Sequence, residues 1–223
     1  TGGVWTRNPG GTGGVFNAAA GTYTPAPGAT TSVFTYTVSG TGPCTAVTNL
    51  ATVNINAEPD AGISGSTTVC DTDTTAIDLF NLITNEQSGG TWTRNPGGIG
   101  GTFNAAAGTF TPAPGATNSS FTYTVNGTLP CLPDTSIATI NINAQPVAGT
   151  NGITTVCDND ATVINLFNLI TGEQAGGVWT RDAVSTGGTF NAAAGTFIPA
   201  PGATTSVFTY TLTGTPPCAV VSS

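Results

Sequence analysis

The chain has 223 residues, three Arg, no Lys, no His and a formal net charge of −8, too little positive charge to neutralise a phosphate backbone or an anionic membrane surface, which excludes nucleic acid as a partner. Without His or Lys the commonest general base and the Schiff-base nucleophile are both missing, and no Gly-x-Ser-x-Gly or phosphate loop occurs, so the chain reads as a non-enzyme. Hydrophobic residues at 38% recur in alternation, enough for modest cores, and no run reaches the roughly 18 apolar residues of a membrane span.

In chain order, the first feature is a motif that returns twice. Gly2-Gly3-Val4-Trp5-Thr6-Arg7 comes back as Gly89-Gly90-Thr91-Trp92-Thr93-Arg94 and as Gly176-Gly177-Val178-Trp179-Thr180-Arg181, so that Trp5, Trp92 and Trp179 stand 87 positions apart. Phe16-Asn17-Ala18-Ala19-Ala20-Gly21-Thr22 recurs from Phe103 and Phe190, and Phe34-Thr35-Tyr36-Thr37 from Phe121 and Phe208. A period of 87 without insertions is too long for one solenoid turn and suits one small β-sandwich per repeat. Ala57–Gly62 and Ala144–Gly149 follow strand-like runs, contain turn residues and read as linkers. The expected organisation is the C-terminal part of one repeat in 1–57, a complete repeat in 58–144, and a repeat lacking its last strand in 145–223. A half-repeat cannot bury its own apolar face, so the polypeptide is expected to continue in both directions or to borrow strands from a neighbour. Any export signal is expected upstream of Thr1.

Within 58–144 the pattern predicts six or seven strands. Ser66–Asp71 carries Cys70, and Ala76–Ile83 reads as a strand or a short helical turn, which periodicity alone does not decide. Gly90–Arg94 centres on Trp92, and Gly101–Asn104 and Gly108–Pro112 form a hairpin around three alanines. Ser120–Asn126 alternates Phe121, Tyr123 and Val125 with Thr122 and Thr124. Ser136–Asn143 changes phase, which predicts an edge or a bulge. Short strands at this spacing indicate an all-β sandwich.

The five cysteines follow the same period. Cys44, Cys131 and Cys218 are late in their repeats, and Cys70 and Cys157 are early. Pairing within each repeat, Cys70 with Cys131 and Cys157 with Cys218, echoes the inter-sheet disulfide beside a buried Trp in immunoglobulin domains, and leaves the partner of Cys44 before Thr1. Each such loop would stabilise its repeat by roughly 3–4 kcal/mol. The rival scheme bonds Cys44 to Cys70 and Cys131 to Cys157 across the linkers. Without a CxxC motif or His the cysteines do not form a zinc site, and disulfides imply an extracellular protein.

Three further features invite function. Asp71 with Asp73, and Asp158 with Asp160, follow the early cysteines at i, i+2 spacing and could open a calcium loop, with Glu86 and Glu173 contributing from the next loop; the opposing reading is a solvated acidic turn. No other cofactor is expected. Trp5, Trp92 and Trp179 read as core anchors, with Arg94 pairing with a carboxylate or stacking on a ring, against a sugar-binding platform. Thr122 and Thr124 share a strand face, read as exposed strand-favouring polar residues against an ice- or glycan-bearing row.

The combined unit runs Thr-Val-Cys-Asp-x-Asp, Leu-Phe-Asn-Leu-Ile-Thr, Gly-Gly-x-Trp-Thr-Arg, Gly-Thr-Phe-x-Pro, Phe-Thr-Tyr-Thr, Pro-Cys and Ala-Thr-Ile-Asn-Ile. It resembles the immunoglobulin-like repeats of very large Bacteroidota surface proteins, among them gliding-motility adhesins and filaments exported by type IX secretion. The resemblance covers the whole chain. It implies a stalk or filament at the cell surface that spaces a tip from the cell, with neighbouring repeats or identical subunits as partners and surface glycans as further ones. Asp73-Thr74-Thr75 is similar to the O-glycosylation sequon of that phylum. The alternatives are a self-assembling filament subunit that exchanges strands and a carbohydrate- or ice-binding module.

Overall fold

A computed structural model describes residues 2–223, and the chain is all-β. The first repeat contributes β1 (Val4–Arg7), β2 (Val15–Asn17), β3 (Thr22–Thr24), β4 (Ser32–Val38) and β5 (Val47–Val53). The middle repeat contributes β6 (Gly65–Cys70), β7 (Ile77–Asp78), β8 (Thr91–Arg94), β9 (Thr102–Asn104), β10 (Thr109–Thr111), β11 (Ser119–Val125) and β12 (Asp134–Asn143). The third contributes β13 (Ile164–Asn165), β14 (Val178–Arg181), β15 (Thr189–Asn191), β16 (Thr196–Ile198), β17 (Phe208–Leu212) and β18 (Val221–Ser222).

The seven strands of the middle repeat form two sheets, β6-β12-β11-β8 and β7-β10-β9. That distribution, with the first strand parallel to the last, is the topology of an immunoglobulin-like sandwich. Sequence alternation accounts for it locally. Along β11, every second residue from Ser119 to Val125 is buried, as a strand packed on one face requires.

Ala76–Ile83 is both of its predicted alternatives in succession. β7 ends at Asp78, whose carboxylate accepts from the Phe80 amide at 3.0 Å and caps a 3-10 turn at Leu79–Asn81. The turn buries Leu79 and sets Phe80 edge-on to Trp92, ring centroids 5.5 Å apart. Gly108 lies over the same ring pair at φ +65°, and a Cβ there would stand 2.7 Å from the Phe80 ring and 2.8 Å from Trp92 Nε1. Glycine is required at that position by both backbone and space.

The phase change predicted in Ser136–Asn143 produces neither an edge nor a bulge. β12 runs unbroken for ten residues between β6 and β11. Ser136, Ala138 and Ile140 point inward with essentially no exposure, and Ile137, 42% exposed, lies on the opposite face with Thr139 and Asn141. The parallel register sets Ala138 against Gly65 and Asn143 against Cys70.

The flanking repeats are arranged differently. In the first, β1, β4 and β5 form a sheet with β5 at its edge, and Trp5 is half-buried. In the third, residues 151–157 repeat the sequence of β6 yet form no strand. A cavity of about 640 Å³ lies between residues 151–158 and 203–209, with Leu166, Trp179 and Phe197 in its wall. In the middle repeat that position, between β6 and β11, is filled by β12.

By contacts the chain folds as two compact units. One comprises residues up to Gly62 with 85–91 and 123–136, and the other comprises 63–84, 92–122 and 137–223. Neither unit follows the 87-residue boundaries, and each encloses one junction between consecutive repeats.

Candidate functional site: the junctions between repeats

The junction after the middle repeat is built on the parallel pair of β6 and β12. Because Asn143 is aligned with Cys70, the end of β6 is delivered to the point where the chain leaves the repeat. The ladder extends one residue further, with the Asp71 amide donating to the Asn143 carbonyl at 2.9 Å. Cys70 bonds there to Cys218 of the next repeat, with Cα atoms 5.0 Å apart. This replaces the expected Cys70–Cys131 and Cys157–Cys218 bonds. Cys44 and Cys157 are exposed thiols and Cys131 a partly buried one. The rival scheme across the linkers does not occur either.

The physical reason is the parallel alignment. Cys131 precedes β12, whereas Cys70 is level with Asn143 at the far end of that strand, and a disulfide needs Cα atoms within about 7 Å. The immunoglobulin arrangement, with its bond between strands of opposite sheets beside the Trp, is not used.

Side chains reinforce the covalent link. Asn143 Nδ2 donates to the Pro216 carbonyl at 2.8 Å, and Gln145 Nε2 donates to the Ala219 carbonyl at 2.8 Å. Asp71 accepts from the Gln145 amide at 2.9 Å and from the Gly115 amide at 3.3 Å. Cys218 Sγ rests 3.3 Å from the Asn143 carbonyl oxygen. The linker itself is clasped to the third repeat: the Gln174 amide donates to the Val147 carbonyl at 2.9 Å, and the Val147 amide donates back to Gln174 Oε1 at 3.1 Å.

The preceding junction repeats these contacts without the disulfide. Asn56 Nδ2 donates to the Leu129 carbonyl at 2.7 Å, and the Cys131 thiol faces the Asn56 carbonyl at 3.6 Å. The Gln87 amide donates to the Asp60 carbonyl at 2.8 Å, and Asp134 accepts from the Ala61 amide at 2.8 Å. The linkers are therefore docked segments, not free hinges. Asn56 with Asn143, and Gln87 with Gln174, are functional residues that strand patterning misses; their own 87-residue spacing is the signal that marks them.

The four acidic candidates each accept backbone hydrogen bonds. Asp73 accepts from the Thr75 amide at 2.8 Å, Asp158 from the Gly202 amide at 3.0 Å, and Asp160 from the Thr162 amide at 2.9 Å. The side-chain and backbone hydrogen bonds from Thr162 hold the Asp160 carboxyl below the ordinary Asp value. Asp71 is a junction strut, so the solvated-turn reading does not describe it. Among the described residues no group of three or more His, Cys, Asp or Glu could hold a metal ion.

Trp92 and Trp179 are each 4% exposed and cannot stack on a sugar. Arg94 takes the ring option, 5.1 Å from the Phe110 centroid, and donates to Ser119 Oγ at 2.8 Å. The Thr122 hydroxyl donates to Asn95 Oδ1 at 2.8 Å, so that row is not a free polar face. Among the described residues no helix is long and apolar enough to cross a membrane.

No family model and no curated protein matches the chain. Among solved structures, the extracellular cadherin domains 1–4 of protocadherin gamma B7 are similar at a TM-score of 0.39 and 10% identity, over 98% of this chain and 64% of that one. The chain therefore spans just under two thirds of that structure's length. The immunoglobulin-like assignment stands on strand order.

Proposed function

We propose that the chain is a tether: a run of stalk repeats from an extracellular surface adhesin or filament, whose task is to hold length under tension. The observation that carries this reading is the bond from Cys70 to Cys218, which joins one repeat to the next instead of closing either on itself. Tension entering before Cys70 and leaving after Cys218 crosses the disulfide, so the 147 residues between them lie outside the covalent load path. Disulfides that span a junction suit an oxidising compartment outside the cytoplasm. The resemblance to Bacteroidota surface repeats supplies the setting, a large secreted protein with its tip elsewhere. The test is mechanical: stretched by its ends, the oxidised chain should stop lengthening once its short terminal segments are taut. A chain that unravels fully before reduction overturns the tether.

A further inference from the structure

We propose that Asn126-Gly127, just past the end of β11, is a self-acting modification site: the Gly127 backbone nitrogen attacks the Asn126 carboxamide, and the isoaspartate that results slackens the junction between the first and middle repeats as the protein ages. Water is the only co-reactant. The new bond joins the Gly127 nitrogen to Asn126 Cγ, that nitrogen gives up its proton, and ammonia leaves. Water then opens the cyclic imide, at one carbonyl to give aspartate and at the other to give isoaspartate.

Sequence and packing single out this pair. Asparagine is among the thermally labile side chains, most so where the next residue has no side chain to hinder its nitrogen. Packing holds that next residue as glycine: a Cβ on Gly127 would stand 2.5 Å from the Cys131 carbonyl oxygen, and one on Gly214 2.7 Å from that of Cys218. The residue before it is the free choice, and its counterparts Ser39 and Thr213 cannot close the ring. Asn126 is exposed. β11 ends at Val125, so the Gly127 amide lies beyond the ladder. Among the described residues neither that amide nor the Asn126 carboxamide makes a hydrogen bond. Asn118 is the contrary case. Its Oδ1 accepts from the Ile142 amide at 2.7 Å, and the residue after it is Ser119, 2% exposed.

The loop from Asn126 to Pro133 carries the carbonyls that hold the preceding repeat. Asn56 Nδ2 donates to the Leu129 carbonyl at 2.7 Å and to that of Thr128 at 3.3 Å. The Cys131 amide closes the turn on the Thr128 carbonyl at 3.0 Å. Both ends of the loop are anchored, by Val125, buried at the end of β11, and by Asp134, which accepts from the Ala61 amide at 2.8 Å. Isoaspartate routes the main chain through the side chain, adding a methylene between Val125 and Gly127 and leaving a carboxylate beside it. With the ends held, the extra length is taken up between them and draws the Thr128 and Leu129 carbonyls off Asn56. The junction after the middle repeat has Thr213 at this position and keeps its clasp.

The test uses the full chain with Asn151→Ser, the residue its counterpart Ser64 carries, so that Asn126-Gly127 is the only Asn-Gly pair. The protein is aged in mildly alkaline buffer, and its peptides are mapped by mass spectrometry with fragmentation that separates isoaspartate from aspartate. Conversion at Asn126 should run at least tenfold faster than at Asn118, with isoaspartate the major product. Amide exchange along Ala57–Gly62 should then quicken at least threefold, while that along Ala144–Gly149 holds. Adding Asn126→Ser should abolish both changes, and adding Asn126→Asp, which brings the charge without the methylene, should leave exchange in the unaged chain as it was. Conversion at Asn126 no faster than at Asn118, or conversion that leaves Ala57–Gly62 exchange unaltered, would overturn the proposal. Exchange quickened equally by Asn126→Asp would overturn the main-chain route to the slackening.

Discussion

Reducing the Cys70–Cys218 bond should release a large and specific length of chain. The two cysteines are 148 positions apart, and an extended residue spans at most about 3.3–3.6 Å, so about 500 Å of contour is held in reserve. Pulled by its termini, the oxidised chain should reach about 250 Å, and the reduced chain about 750 Å. The measurement is single-molecule stretching with handles at the two ends, on the chain with only Cys44 changed to Ser so that both pairing schemes remain open, before and after adding reductant. Pairing inside repeats makes a different prediction for the native cysteines: positions 70 and 131 are 61 apart, so each of two loops would hide only about 200 Å. A gain on reduction near 200 Å, in one step or two, would refute the junction disulfide and with it the tether. Closing so long a loop should also stabilise the oxidised fold by about 5 kcal/mol on chain entropy.

Thermal or chemical denaturation should rank the cysteines: Cys218→Ser costs about 2–5 kcal/mol, while Cys157→Ser leaves the isolated chain unchanged. Asn143→Ala removes one side-chain hydrogen bond at the junction and should cost about 1 kcal/mol, read as faster amide exchange along Ala144–Gly149. Gly108→Ala places a Cβ against Trp92 in a left-handed backbone conformation and should cost about 2–4 kcal/mol with altered Trp fluorescence. The Asp160 carboxyl, held below 3.8 by its bonds from Thr162, contributes stability that is present above the unfolded-state value and is lost as pH falls through the lowered folded-state value. Its NMR titration should move back towards the ordinary value in Thr162→Ala, and an unmoved midpoint would refute the assignment.

The all-β character and the placement of most strands are legible in the amino-acid order, because alternation with period two reports directly which face is buried. Phe121, Tyr123 and Val125 are inward as their spacing predicts. It also marked Trp92 as a core residue, since the hairpin and turn that cover it lie in the same repeat. The Ala76–Ile83 run was ambiguous because a two-residue strand followed by one 3-10 turn is shorter than either period.

Which cysteines meet is settled by the packing of the strands. Positions along the chain show that one thiol comes early and one late in every period, but not which end of the sandwich each occupies. That depends on β6 running parallel to β12, a pairing made through backbone groups that every residue carries and no side-chain pattern records. Parallel alignment sends the early cysteine forward to the following repeat and leaves the late one facing back, so the bond can close only between neighbours.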